Sequence, residues 1–222
     1  ASLGMAAHKF ALAKRIHVWA RRSESRADCQ SSGWCDATFA DPSESVIGSD
    51  LVILCTPVDM ITGMVEEMGP HLKKGALVTD VGSTKSRICR LSSHAVPEGV
   101  NFIGSHPMAG SEKSGMAHAK AELFKDRACL VTPLQDAPAT EIDKLVRFWK
   151  SLGMEVSTMS PEKHDEIVAH ISHLPHMLAS LLCLQLSRHP DSWQAFSGPG
   201  LRDTTRVAAG SPEIWRSIFE EN

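Results

Sequence analysis

Six short apolar runs separated by helical periodicity constrain this chain more than any other feature. The runs lie at 15–21, 50–57, 75–81, 100–104, 128–132 and 155–159. Asp50-Leu-Val-Ile-Leu-Cys-Thr-Pro57 and Gly75-Ala-Leu-Val-Thr-Asp-Val81 are continuous rather than alternating. A strand of that kind is covered on both faces, which is the condition of a parallel sheet. Residues 1–15, 60–72 and 139–152 carry apolar side chains at helical spacing between the runs. Strands alternating with helices at this spacing build βαβ units. The expectation is an α/β fold with a Rossmann-like doubly wound parallel sheet.

The pattern changes at Ser160-Pro161-Glu162. Serine is a strong N-cap, and proline suits the first helical position. Beyond it the chain shows only helical periodicity to Leu186, a Pro/Gly-rich stretch at 190–200 and a short helix from Pro212. These signals predict a nucleotide-binding domain over 1–159 and an all-helical domain over 160–222. A Rossmann-like domain ordinarily opens with a strand and a G-x-G-x-x-G turn. Here Ala1-Ser2-Leu3-Gly4 already reads as the first helix, and Phe219-Glu-Glu-Asn222 reads as mid-helix. The expectation is therefore a fragment, lacking the first strand with its glycines and a C-terminal helical region.

Composition narrows the class without naming a function. A net charge of −3 and no basic run give no electrostatic footprint for nucleic acid or a membrane surface. The longest apolar runs, such as Leu51–Cys55, fall short of a bilayer span. Six cysteines at 29, 35, 55, 89, 129 and 183 form no C-x-x-C pair and no zinc spacing, so no metal is expected. Cys55 and Cys129 fall inside expected buried strands. A reduced, cytoplasmic protein is the reading.

The polar turns after the strands carry the chemistry, because ligands bind outside the carboxyl ends of such strands. Arg21-Arg22-Ser23 follows the run at 15–21. NAD sites usually place a carboxylate here, whereas a guanidinium can grip the 2′-phosphate of NADP bidentately. The turn therefore favours NADP, with NAD as the alternative. Thr56-Pro57 and Asp80-Val-Gly82-Ser83-Thr84-Lys85 close the next two strands and are expected to face the same cleft. Ser83 can donate to a cofactor or substrate, and it can also cap a helix beginning at Thr84 or Lys85.

Gly104-Ser-His-Pro-Met-Ala-Gly-Ser-Glu-Lys-Ser-Gly115 holds the leading catalytic candidate. His106 can accept a proton at cellular pH, the step that accompanies hydride loss when an alcohol is oxidised. Pro107 and the flanking glycines restrict the segment and permit close backbone approach. On the helix from Pro161, His170, His173 and His176 recur every three residues, without the H-E-x-x-H pattern of a zinc protease. Pro175 predicts a kink near His173. Gly198-Pro-Gly-Leu-Arg-Asp-Thr-Thr-Arg206 reads alone as a loop with exposed arginines.

Taken together, the His-Pro-Met-Ala-Gly-Ser-Glu run, the Asp-x-Gly-Ser-x-Lys turn, Ser-His-Leu-Pro-His (172–176) and Leu-Arg-Asp-Thr-Thr-Arg (201–206) resemble the motifs of prephenate and arogenate dehydrogenases, in the same order. The resemblance implies NAD(P)-dependent oxidative decarboxylation of prephenate, or of arogenate. It implies His106 as the group that takes the substrate hydroxyl proton, with Ser83 beside nicotinamide and substrate. Ser111, Glu112, His173 and His176 would border the substrate. Arg206 would bind its carboxylate, with Arg202 as a secondary candidate and Trp215 lining the pocket or packing beneath it. Arg21, Arg22, Ser23, Thr56, Pro57 and Gly82 would face the cofactor, and a homodimer through the helical domain is implied as well. Two other readings stay open: a different hydroxy-acid dehydrogenase, although residues 164–201 lack the lysine such enzymes use, and a non-catalytic nucleotide-binding module.

Overall fold

The structure, a computed structural model, describes residues 1–110 and 115–222. It is an α/β fold of Rossmann type followed by helices. Helix α1 (Ser2–Lys9) leads into β1 (His17–Trp19), α2 (Ser23–Ser31), β2 (Ala37–Phe39) and the single turn α3 (Pro42–Ser45). Strand β3 (Leu51–Leu54), α4 (Val58–Met68), β4 (Leu77–Asp80), α5 (Ser86–Ala95) and β5 (Asn101–Phe102) follow. Then come β6 (Gly104–Pro107), β7 (Ala128–Thr132), α6 (Ala139–Ser151) and β8 (Glu155–Thr158).

Strands β1–β2 and β3–β4–β5 pair in parallel, with Leu51 opposite Leu77 and Leu54 opposite Asp80. One departure from the expected parallel sheet matters for the site. The run at 100–104 is not one strand ending in a turn: it breaks at Ile103, and β6 runs antiparallel to β7. His106 thus sits on a strand opposite Leu130, not in a glycine-rich turn. Parallel pairing resumes between β7 and β8. Strands β4 and β6 are joined where Ile103 N donates to Val78 O (2.9 Å) and the Ser105 hydroxyl donates to Asp80 O (3.0 Å).

The core divides around these strands. On one side Ile61, Val65 and Met68 of α4 meet Leu54 and Val78 of the sheet and Ile88 of α5. On the other, Leu145 and Trp149 of α6 pack with Ile103, Phe124, Cys129 and Val131. Trp149 has no solvent-exposed surface. Cys129 is buried as expected. Cys55, one residue beyond β3, is exposed.

The helical part opens with α7 (Pro161–Val168), whose cap is as expected: the Ser160 hydroxyl accepts from Lys163 N, with Pro161 at the first position. A π-helical turn at Ala169–His173 joins it to α8 (Leu174–Leu186). Pro175 cannot donate a helical hydrogen bond, and the widened turn immediately precedes it. This is the distortion the sequence predicts near His173. The combined helix spans 26 residues and is long and apolar enough by composition to cross a membrane, contrary to the estimate from strand-length runs; interface and core helices share that property. Two helices, α9 (Pro199–Thr205) and α10 (Pro212–Glu221), complete the described chain. Residues 199–205 are therefore helical rather than a loop.

Candidate active site

Strand β6 carries His106 to the edge where the sheet meets α7. Gly104 makes this possible, since a Cβ there would lie 2.5 Å from Cys89 Sγ and 2.6 Å from Thr132 Oγ1. His106 Nδ1 lies 2.9 Å from His164 Nε2, and His164 Nδ1 lies 2.8 Å from Asp165 Oδ1. The Asp165 carboxylate then accepts two backbone hydrogen bonds across the domain junction, from Lys85 N and Ser86 N, each at 2.8 Å. These are the first N–H groups of α5, which a helix leaves without internal partners. Helix α5 thus starts at Ser86 and is capped by a carboxylate from α7. Ser83, for which capping was the alternative reading, lies upstream of the helix and does not cap it.

A second charged pair sits behind this chain. Lys85 Nζ contacts Asp80 Oδ2, and both side chains are fully buried. Asp80 is further held by Gly82 N (2.8 Å) on the same oxygen and by Ser105 N (3.3 Å) on the other. This pair lies close enough to His106 for the Lys85 side chain to act on it. Burial first, and then the charges of Lys85, His164 and His173, drive the His106 pKa well below the usual 6.5, with Asp165 opposing. Burial alone would raise the Asp165 pKa, but its hydrogen bonds from His164, Ser86 and Lys85 hold it at about 2. The cluster therefore presents a neutral imidazole backed by an ionised carboxylate.

The remaining predicted residues fall into three groups. His173 is buried near the cluster, its Nδ1 accepting from Asn222 Nδ2 (3.2 Å), which also donates to Asp165 O (2.9 Å). His176 stacks on Trp215 with ring centroids 3.5 Å apart, and both line a hollow of about 570 Å³ between α8 and α10. Neither His106 nor Ser83 lines that hollow. Arg202 on α9 and Arg206 just beyond it are exposed, and among the described residues no hydrogen bond or ion pair ties their side chains to His106. Ser111 and Glu112 lie outside the described residues.

The residues expected at the cofactor collect at the carboxyl ends of the strands. Ala1, Ser2 and Leu3 of the α1 start border a crevice of about 220 Å³ with Cys55, Val81 and Pro107. A helix N-terminus bordering such a crevice suits a phosphate. The Thr56 hydroxyl, just beyond β3, is buried without a hydrogen-bond partner among the described residues. Gly82 is too close to Val58 and Ile61 to bear a side chain freely. Pro57 starts α4 as its N-cap residue. Arg21, Arg22 and Ser23 are exposed at the turn after β1, which Arg26 braces by donating to Ala20 O (2.7 Å) and Arg21 O (3.0 Å). These groups fit a nicotinamide dinucleotide.

His164, Asp165, Asp80 and Lys85 were not among the expected site residues. A signal for two of them exists: Pro161, His164, Asp165 and Val168 fall at i, i+3, i+4 and i+7, the buried stripe of α7. Two polar residues on such a stripe require partners.

The family model described as prephenate dehydrogenase, nucleotide-binding domain, matches residues 7–158, and the one for the prephenate dehydrogenase dimerization domain matches 160–222. The chain is 37% identical over 175 residues to prephenate dehydrogenase of Bacillus subtilis, covering 77% of this chain and 47% of that protein. It is 35% identical to cyclohexadienyl dehydrogenase of Zymomonas mobilis, covering 84% and 65%. The chain thus spans about half to two thirds of these relatives. Among solved structures, prephenate dehydrogenase from A. aeolicus with hydroxyphenyl propionate and NAD+ matches with TM-score 0.91 at 27% identity, over 99% of this chain and 78% of that one. Synechocystis arogenate dehydrogenase matches with TM-score 0.82 at 28% identity, over 99% and 79%. With the two family models matching residues 7–158 and 160–222, this chain belongs to the prephenate dehydrogenase family.

Proposed function

We propose that the protein is a prephenate dehydrogenase, which oxidatively decarboxylates prephenate to 4-hydroxyphenylpyruvate. The observation that carries the reading is His106, a neutral imidazole held at the carboxyl edge of a dinucleotide-binding sheet and backed by an ionised carboxylate. A bound nicotinamide dinucleotide supplies the hydride acceptor. His106 takes the proton of the substrate hydroxyl at Nε2, because its Nδ1 is engaged by His164. Ser83, released from capping α5, orients that hydroxyl. Arg206 holds a substrate carboxylate, with Arg202, His173, His176, Ser111, Glu112 and Trp215 completing the substrate side. Loss of the ring carboxylate as carbon dioxide aromatises the product and makes the step irreversible.

Arg21 and Arg22 favour NADP over NAD, since no carboxylate stands first in that turn. Thr56, Pro57, Gly82 and Ser23 complete the cofactor side. The division at 159/160 is supported by two family models that match on either side of it, over 7–158 and 160–222. A homodimer through α8 is supported by its uncovered apolar face: Leu174, Leu178, Leu181 and Leu184 are each about half exposed. Six free cysteines suit the reducing cytoplasm. Arogenate is the second substrate reading, favoured by the shared fold with Synechocystis arogenate dehydrogenase. The test is reduced-nicotinamide absorbance with prephenate or arogenate, each against NAD and NADP. Turnover with prephenate and NADP is expected. No turnover with any pair, in a folded protein that binds nucleotide, would contradict the reading.

A further inference from the structure

We infer that His164 and Asp165 are positioning residues that fix the tautomer of His106, leaving its Nε2 unprotonated and facing the substrate. The inference rests on the reading of His106 as the base. Its argument is a hydrogen-bond count along one chain of atoms. Asp165 Oδ1 accepts from Lys85 N and Oδ2 from Ser86 N, so the carboxylate is ionised and has only acceptors to offer. His164 Nδ1, 2.8 Å from Oδ1, must therefore carry a proton and donate it. A neutral imidazole has one N–H, so His164 Nε2 is an acceptor. His106 Nδ1, 2.9 Å away, must then be the donor. Its only remaining nitrogen, Nε2, is left with a free lone pair.

The alternative arrangement is a protonated His164 whose Nε2–H donates to a bare His106 Nδ1. That state places the one proton of a neutral His106 on Nε2, where it blocks base catalysis. Burial opposes that extra charge, since the His164 side chain is shut off from water. Geometry restrains the chain as well: His164 has no exposed surface, and Asp165 is pinned to the α5 backbone. The helical and sheet domains thus meet through the group that orients the base. When His106 gains the substrate proton, its charge is balanced through His164 by a carboxylate already in place. Preorganised charge of this kind needs no rearrangement during reaction.

Two measurements on the intact protein test this. Ring-nitrogen chemical shifts of isotopically labelled histidine report which nitrogen of His106 is protonated, with no need for substrate. The expected result is a protonated Nδ1 and a bare Nε2 in the unsubstituted protein, with that preference lost in Asp165→Asn and His164→Phe. In the same variants kcat is expected to fall by roughly 10²-fold or more, as when a base loses its correct tautomer, while KM for prephenate stays within about threefold. A protonated Nε2 in the unsubstituted protein would overturn the inference even if neither variant folds. So would folded variants that both keep kcat within about threefold. An inactive unsubstituted protein that nevertheless shows the bare Nε2 would count against the proposed reaction and leave the tautomer assignment supported.

Discussion

The base proposed at His106 has a working range set by what surrounds it. Burial, Lys85, His164 and His173 all disfavour its charged form, and only Asp165 favours it. A base acts when neutral, so activity is lost as pH falls through its pKa. The acid limb of kcat/KM is accordingly expected below 6.5, the usual histidine value. A limb at or above that value would contradict the electrostatic account. Asp165 gives a second, independent readout. Its pKa is depressed from 3.8 to about 2, so its contribution to stability is present above 3.8 and lost as pH falls toward 2. That shift corresponds to about 2 kcal/mol. Asp165→Asn is expected to lower unfolding free energy at neutral pH by about that amount and to flatten the acid dependence, as measured by denaturant melts. His106, Ser83 and His173 were candidates in the sequence because their motifs are local. His164 and Asp165 were not, because their partners lie 58 and 80 residues away.

Among the elements, β7 was read to the residue and α6 to within one, since each has a strong period and clear flanks. The strand bearing His106 was misread because Ile103-Gly104 looks like a strand end, whereas Gly104 is needed for close approach to Cys89 and Thr132. Gly104→Ala would force β6 away from α5 and β7. We expect a loss of stability of about 1–3 kcal/mol from such overpacking and a larger proportional loss of activity, because His106 moves with the strand. A variant with unchanged melting and turnover would show that the close approach is unimportant. The same layer depends on Trp149, wholly buried against Leu145 and Phe124. Trp149→Ala is expected to cost about 3–5 kcal/mol, read as a lowered denaturation midpoint. Strand β2 and helix α2 escaped the sequence reading because a three-residue strand and a helix of three serines with single Glu, Arg, Asp and Gln residues carry little hydrophobic pattern.

At the level of the molecule, the helical segment explains what an isolated sheet cannot. Helix α7 caps α5, fixes His106 and passes through a π turn into α8, so catalytic geometry and the apolar outer face share one continuous helix. Leu178 and Leu181 are each more than half exposed on that face. If the proposed homodimer forms through this face, replacing both with glutamate is expected to shift the protein from dimer to monomer in sedimentation, through loss of apolar burial. An unchanged dimer would place the interface elsewhere. The central claim, that His106 drives oxidative decarboxylation at this junction, is tested most directly by one comparison. Carbon dioxide release and reduced-nicotinamide formation from prephenate would be followed together in the unsubstituted protein and in His106→Asn. Equal amounts of both products are expected from the former, and a kcat lower by roughly 10²–10⁴-fold in the folded variant. A folded His106→Asn protein with undiminished kcat would contradict it.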